Sequence, residues 1–246
     1  MSTVPFDATG AAVTSRSIGA VTSRSSGIAR LPVDVQLPLP KVLLCDLDGT
    51  LIDSMPTLAD LATEVIEARY GTPRILAREL YLATCGLPFV KQLEEIFPDD
   101  ARNAEASAEF EARKPARCNA IRMPADTRRA LERMRDMGVR VAVSSNNGTE
   151  NVAAFARDAG FKFDLVLGYG GGLAKGRTHL DATSREFGAS RQEMLFVGDS
   201  LHDGEIAERE GIPFVGIATT FSPDRFALRF PSVPVIRRFS ALPTLF

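Results

Sequence analysis

Two carboxylates, Asp46 and Asp48, follow the short apolar run Val42–Cys45. Such a run is typical of a buried strand, so we expect the acids where the strand ends and meets solvent and substrate. Side chains alternate along an extended chain, so both acids can face one small volume, and Gly49 lets the backbone turn sharply away. The alternative for these residues alone is a common Asp-Gly hairpin turn.

Polar groups also follow the next candidate strand, Val139–Ser144. Ser145 and Asn146 come directly after it and lead into a predicted helix, whose first N–H groups favour an anion. Taken by itself this segment is typical of a helix cap.

A glycine-rich loop carries Lys175 after the candidate strand Phe163–Leu167. A P-loop would have glycine before the lysine and Ser or Thr after it, but Ala174 and Gly176 stand there. A dinucleotide-binding fingerprint fails as well, because Leu173 occupies the place of its last glycine. We therefore interpret the loop as flexible backbone that delivers a lysine to the site.

A third acidic cluster, Asp199 and Asp203, follows the candidate strand Met194–Val197. Each acid alone is typical of a turn or a helix cap. Together with the first pair they can hold Mg²⁺, which prefers oxygen ligands and keeps several waters. Asp46, Asp199 and the backbone carbonyl beside Asp48 would meet that demand.

The histidines and cysteines indicate no second kind of site. His179 and His202 lack the partner pattern of a catalytic triad, and we interpret both as ordinary polar residues. Cys45, Cys85 and Cys118 lie far apart, which favours neither a zinc site nor a disulfide framework. A reducing compartment is therefore expected.

Apolar runs alternate with amphipathic segments from Val139 onward, which predicts an α/β fold with a doubly wound parallel sheet. One of the predicted helices is capped by Asp126 and includes Met137. Between Ser54 and about Met123 only helical periodicity occurs, so a small helical domain is predicted there. The predicted organisation is a tail over 1–40, an α/β core over 41–54 and 124–246, and a helical cap over 55–123.

The composition of the chain gives no support to nucleic-acid binding or to insertion into a membrane. The chain has 246 residues, 45% hydrophobic residues and a formal charge of −2, so a sizeable core is expected and nucleic-acid binding has no support. No apolar stretch approaches the roughly 20 residues of a membrane span. Residues 1–30 are rich in Ser, Thr, Ala and Gly and predict a disordered tail, with an organellar transit peptide as the alternative. A cytoplasmic protein, monomeric or homodimeric, is expected.

The ordered motifs resemble those of the haloacid dehalogenase-like phosphohydrolases. Four pieces carry the resemblance, in the order of the family: Asp46-Leu-Asp48-Gly-Thr50, Ser145 after a strand, Lys175, and Gly198-Asp199-Ser-Leu-His-Asp203. The match covers about residues 41–246. The insert after the first motif is similar to the helical cap of the branch that contains phosphoglycolate phosphatases and beta-phosphoglucomutases. A Rossmann-like core is thereby implied.

The resemblance implies a role for each motif residue. Asp46 would be the nucleophile that forms an aspartyl-phosphate, and Asp48 would protonate the leaving oxygen and then deprotonate water. Mg²⁺ would be held by Asp46, the Asp48 carbonyl and Asp199. Ser145 and Lys175 would bind the phosphate oxygens. Two further phosphate contacts are expected from Asn146 and Gly49, and Asp203 would support Asp199 or Lys175.

The expected activity is Mg²⁺-dependent hydrolysis of a small phosphorylated metabolite, similar to phosphoglycolate or a sugar phosphate. A phosphomutase is the nearest alternative, because it shares the core and differs mainly in the cap. Three others are weaker: a haloacid dehalogenase needs no acid at position 48, a phosphonate hydrolase needs a cap lysine in a convincing context, and a non-catalytic regulatory protein would have lost a core group.

Cap cations that could meet an anionic substrate are Arg74, Arg78, Lys91, Arg113, Lys114 and Arg117. On helices, such residues usually form a solvated face. The sequence does not choose among them.

Overall fold

A six-stranded, all-parallel sheet forms the centre of the computed structural model, which describes residues 36–246. Within these residues the strand order is β3-β2-β1-β4-β5-β6. The strands are β1 (Val42–Cys45), β2 (Arg140–Gly148), β3 (Leu165–Tyr169), β4 (Met194–Gly198), β5 (Phe214–Ile217) and β6 (Val235–Ile236). The predicted doubly wound parallel sheet is confirmed.

The register of the central strands aligns their carboxyl ends. Cys45, the last residue of β1, pairs with Val143 of β2 on one side and with Val197 of β4 on the other. Polar residues that follow these strands therefore emerge at one level of one sheet edge, which is where ligands bind in open α/β sheets.

Both faces of the sheet are covered, as the nearly continuous apolar strands require. Along β1, Leu43 and Cys45 belong to one apolar cluster, whereas Val42 and Leu44 belong to the other. This alternation follows from the two-residue period of a strand. The helices of this part of the chain are α5 (Ala125–Asp136), α6 (Thr149–Asp158), α7 (Arg177–Phe187), α8 (Leu201–Glu210) and α9 (Pro223–Arg229).

The predicted start of α5 is wrong by a few residues. Pro124 is the N-cap, because its backbone is extended and its ring fixes φ ahead of the helix. Asp126 lies inside the first turn, where its carboxylate accepts a hydrogen bond from the N–H of Thr127. Met137 follows the last helical residue and is 37% exposed, so it is not part of the buried face.

Four helices lie between β1 and α5: α1 (Met55–Tyr70), α2 (Arg74–Ala83), α3 (Phe89–Ile96) and α4 (Asn103–Cys118). They share an apolar cluster that is separate from those of the sheet, with Leu61 and Ile66 of α1 packed near Phe89 and Phe110. We propose that this unit is the cap predicted over 55–123.

The predicted tail lies mostly outside the described residues, as does the segment considered as a transit peptide. Residues 36–40 have no regular secondary structure, and the N–H of Leu37 donates to the carbonyl of Leu245. Within residues 36–246, no helix combines the length and the apolar character needed to cross a membrane.

Candidate active site

The turn after β1 positions the first pair of acids. It is closed by hydrogen bonds from the Gly49 N–H to the Ile52 carbonyl and from the Ile52 N–H to the Leu47 carbonyl, so neither bond uses the carbonyl of Asp48. Gly49 has φ of +84°, and a Cβ there would lie 2.1 Å from Oδ2 of Asp199. Only glycine therefore lets this turn approach the acid that follows β4.

Lys175 lies at the centre of the site. Its Nζ is 2.6 Å from Oδ1 of Asp46 and 2.8 Å from Oδ1 of Asp203, and all three side chains are buried. Burial alone would lower the pKa of the ammonium, but the two carboxylates raise it above its usual value. Lys175 is therefore a fixed positive charge between the ends of β1 and β4.

The carboxylates of Asp46, Asp199 and Asp203 each place an oxygen within 4.8 Å of the others. Burial raises the pKa of Asp46 to about 7, and the negative charge of Asp203 adds to the effect, whereas Lys175 opposes it. Burial and the two neighbouring acids raise the pKa of Asp199 as well. Three acids thus share one lysine, and their negative charge exceeds the positive charge available.

This donor set fits a hard divalent cation. Oxygen ligands are what Mg²⁺ prefers, and a cation would offset the excess negative charge that raises both pKa values. Asp203 is already engaged, because its carboxylate accepts hydrogen bonds from Lys175 and from the N–H and hydroxyl of Ser200. Asp46 is held by Lys175 at one oxygen and Asp199 only by hydroxyl groups, so these two side chains are better able to hold the ion. The Asp48 carbonyl, which neither bond of the turn uses, is the third ligand that the sequence predicts.

Asp48 has a different environment from Asp46, although the two residues are neighbours in the turn. It is half-buried; its Oδ1 accepts a hydrogen bond from the Ser54 hydroxyl at 2.6 Å and its Oδ2 one from the Asn147 amide at 3.2 Å. The amide of Asn147 in turn accepts from Asn151. Asp48 is thus held by neutral donors, whereas Asp46 is paired with the ammonium of Lys175.

Ser145 and Asn146 lie within the irregular part of β2, between Ser144 and Gly148, so the strand extends past its predicted end at Ser144. The Ser145 hydroxyl oxygen accepts a hydrogen bond from the N–H of Asn147, so its proton remains available to a ligand. The amide of Asn146 donates to the Gly86 carbonyl and accepts from the N–H of Lys175. The side chain of Asn146 therefore bonds to other protein groups in this conformation, as does the N–H of Gly49, which donates to the Ile52 carbonyl. The phosphate contacts expected of both residues stay predictions.

A cavity of about 60 Å³ lies over these groups. Asp46, Asp48, Ser145, Lys175 and Asp199 line it from the sheet edge. The loop before α3 and part of α4 line it from the other side. The acids therefore face a small space between the core and the helical insert.

Three threonines around Asp199 were given no role by the sequence prediction, although Thr50 stands in its first motif. The Thr50 hydroxyl lies 3.1 Å from its Oδ1, Thr220 donates to its Oδ2, and the Thr219 hydroxyl donates to the Gly49 carbonyl at 2.6 Å. Thr219 and Thr220 come just after β5, so the rule used for the other strand ends would have found them. Their position after a strand was the available signal.

His179 was also underestimated as an ordinary polar residue. It is fully buried; its Nε2–H donates to the Gly168 carbonyl at 3.2 Å, so its Nδ1 accepts from the Ser144 hydroxyl at 2.9 Å. It thereby joins β2 to β3, the strand that precedes the loop carrying Lys175. Burial lowers its pKa from 6.5 to about 4.

We expect His179 to make the protein acid-sensitive. An unfolded chain binds a proton at His179 below pH 6.5, whereas the folded chain does so only near pH 4, so stability falls as the pH drops through this window. The contribution is about 3 kcal/mol at most. Urea unfolding of wild type and His179→Gln at pH 7 and pH 4.5 measures it. The variant should lose less stability between the two pH values; equal losses would contradict the prediction.

Comparison with known proteins gives a consistent result. A family model described as haloacid dehalogenase-like hydrolase matches residues 40–211. The chain is 30% identical over 195 residues to a phosphoglycolate phosphatase of Mannheimia succiniciproducens, covering 72% of this chain and 85% of that protein. It is 27% identical over 190 residues to a phosphoglycolate phosphatase of Rhodobacter capsulatus, covering 70% and 82%.

Solved structures agree on the fold. A haloacid dehalogenase-like family hydrolase from Streptococcus pneumoniae superposes with a TM-score of 0.69 at 16% identity, covering 84% of this chain and 99% of that one. A hydrolase from Pseudomonas syringae gives a TM-score of 0.70 at 17% identity, with coverage of 83% and 97%.

Proposed function

The chain belongs to the haloacid dehalogenase-like hydrolases, and from this premise we propose that it is a Mg²⁺-dependent phosphatase that hydrolyses a small phosphorylated metabolite through an aspartyl-phosphate. Phosphoglycolate-like and sugar-phosphate-like compounds are the proposed substrates. The names of the relatives support the reaction class, since those cited are phosphoglycolate phosphatases. The observation that carries the proposal is the difference between the two acids of one turn, one beside Lys175 and one held by neutral donors.

In the first step an Asp46 carboxylate oxygen attacks phosphorus, and the bond from phosphorus to the leaving oxygen breaks. Asp48 gives its proton to that oxygen, so the product leaves as an alcohol. Asp46 then carries the phosphoryl group and Asp48 is ionised.

In the second step water attacks the same phosphorus. Asp48 takes the proton of the water, the bond to the Asp46 oxygen breaks, and inorganic phosphate is released. Both acids return to their starting states, so the cycle balances.

The surrounding residues stabilise the negative charge on the transferred phosphoryl group. Lys175 and the Ser145 hydroxyl are placed to bind the non-bridging oxygens, where negative charge is spread in the transition state. Mg²⁺ held by Asp46, Asp199 and the Asp48 carbonyl would reduce repulsion between phosphate and carboxylate. Asp203 keeps Lys175 in position. We propose that the helices of the insert shield the intermediate from bulk water.

A screen of phosphorylated metabolites with and without Mg²⁺ tests this function, with Asp46→Asn as the blank. We expect phosphate release from at least one small phosphomonoester, its loss when EDTA removes the metal, and no release by the variant. Interconversion of sugar-phosphate isomers without phosphate release would favour a phosphomutase. Halide release without phosphate would favour a dehalogenase, and inactivity on every compound would overturn the proposal.

A further inference from the structure

We propose that Lys114 of α4 binds a second anionic group, a carboxylate, on the leaving-group part of the substrate. Lys114 would then choose phosphorylated hydroxy acids over phosphomonoesters with neutral leaving groups. This inference rests on the proposed phosphatase function and identifies the residue that sets its substrate class.

Position distinguishes Lys114 from the other cap cations. Among the described residues that line the cavity over Asp46, it and Lys175 are the only cationic side chains. The other five candidates from the sequence all pair with acids away from this cavity: Arg74 with Glu67, Arg78 with Asp60, Lys91 with Glu94, and Arg113 and Arg117 with Glu64. Lys114 is therefore the cation of the insert that can meet a ligand there.

Burial makes Lys114 more than a surface charge. Its side chain is only 7% exposed, and its Nζ lies 2.7 Å from the Glu111 carboxylate and 5.2 Å from the centre of the Phe110 ring. An ammonium held out of water needs an anionic or aromatic partner. Glu111 is 42% exposed, so its carboxylate can move into water when a substrate carboxylate takes its place.

The location relative to Asp48 indicates which part of the substrate Lys114 meets. Lys114, Asp48 and Asn147 all line the cavity over the acids and also a neighbouring cavity of about 360 Å³. Lys175 lies in the first of these only, beside the nucleophile. Because Asp48 protonates the leaving oxygen in the proposed reaction, the leaving group extends toward Lys114. A carboxylate on a short leaving group would therefore be drawn to this ammonium.

The test compares 2-phosphoglycolate with 2-hydroxyethyl phosphate, which replaces the carboxylate by a neutral hydroxymethyl group. In Lys114→Met, which keeps an unbranched apolar side chain of similar length, we expect kcat/KM for 2-phosphoglycolate to fall about 10- to 100-fold. For 2-hydroxyethyl phosphate the change should stay within about 3-fold. An equal fall for both compounds would show a structural role and overturn the proposal.

Glu111→Gln gives a second measurement with the opposite sign. Loss of the competing carboxylate should lower KM for 2-phosphoglycolate and leave KM for 2-hydroxyethyl phosphate unchanged, an outcome that a damaged fold would not produce. Lys91→Met is the matched control, because it removes an exposed cap lysine that pairs with Glu94. An unchanged or raised KM for 2-phosphoglycolate in Glu111→Gln would contradict the proposal. If wild type hydrolyses neither compound nor any other phosphomonoester, the proposed function itself fails.

Discussion

Asp46→Asn should lower phosphate release by about 10⁵-fold or more, because an amide oxygen cannot replace the carboxylate that forms the covalent intermediate. The variant should fold, since the change is nearly isosteric and removes one of three acids that share Lys175. Steady-state phosphate release and thermal unfolding measure the two effects together. A stable variant that keeps more than about 1% of the activity would contradict the assignment of the nucleophile.

Asp48→Asn should have a smaller effect that depends on the leaving group. General acid–base catalysis contributes about 10²- to 10⁴-fold, so phosphate release from an alkyl phosphate should fall by that amount. With p-nitrophenyl phosphate the leaving group needs no proton, and the first step should survive. We then expect a burst of p-nitrophenol of about one equivalent, followed by slow turnover, because the second step still needs a base for water.

Rapid-quench measurements and intact-protein mass spectrometry check this difference. The expected result for Asp48→Asn is one added phosphoryl group, absent when Asp46→Asn is introduced as well. Equal losses with both leaving groups and no trapped phosphoryl group would show that the two acids do not divide the chemistry as proposed.

The site could be anticipated from the sequence as far as it depends on strand ends. Asp46 and Asp199 come directly after β1 and β4, Ser145 lies in the irregular end of β2, and Lys175 lies in the loop after β3. Parallel strands bring such residues to one edge. The rule needs only the position of each residue relative to its own strand, so it can be applied without knowing any side-chain contact.

Features of the site that depend on how the helices pack could not be predicted from strand ends. The burial of His179 between β2 and β3 could not be predicted, because a helical position reveals a face but not the groups opposite it. Lys114 shows the same limit: its sequence context resembles a solvated helix face, yet the packing of α4 turns it toward the acids. The choice among six cap cations therefore required three-dimensional information.

Lys175→Met should lower activity and destabilise the fold, for two separable reasons. Activity should fall about 10³-fold, because a charge that stabilises the transition state is lost. Stability at pH 8 in EDTA should fall, by at most about 3–5 kcal/mol, because Asp46, Asp199 and Asp203 lose their shared cation while remaining buried. Activity assays and urea unfolding at pH 5 and pH 8 measure these effects.

The pH dependence of the stability loss follows from the pKa of Asp46. Lys175 lowers that pKa against the effect of burial, so the variant should hold a proton on Asp46 to higher pH. An acid with a raised folded pKa loses folding stability as the pH rises toward that value. At pH 5 Asp46 holds its proton in both proteins, so the deficit of the variant should be small, and it should grow as the pH rises above about 7, where wild type ionises Asp46 and the variant does not. A deficit that is independent of pH would indicate lost packing of the lysine stem.

The double variant Lys175→Met with Asp203→Asn separates charge from catalysis. It returns the cluster to the net charge of wild type, since one cation and one anion are removed together. Most of the lost stability should then return, as expected when both partners of a buried pair are replaced. Activity should stay about 10³-fold down, because the phosphate oxygens still lack their cation. Recovery of activity would show that Lys175 serves only to neutralise Asp203, and no recovery of stability would show that charge balance does not govern this cluster.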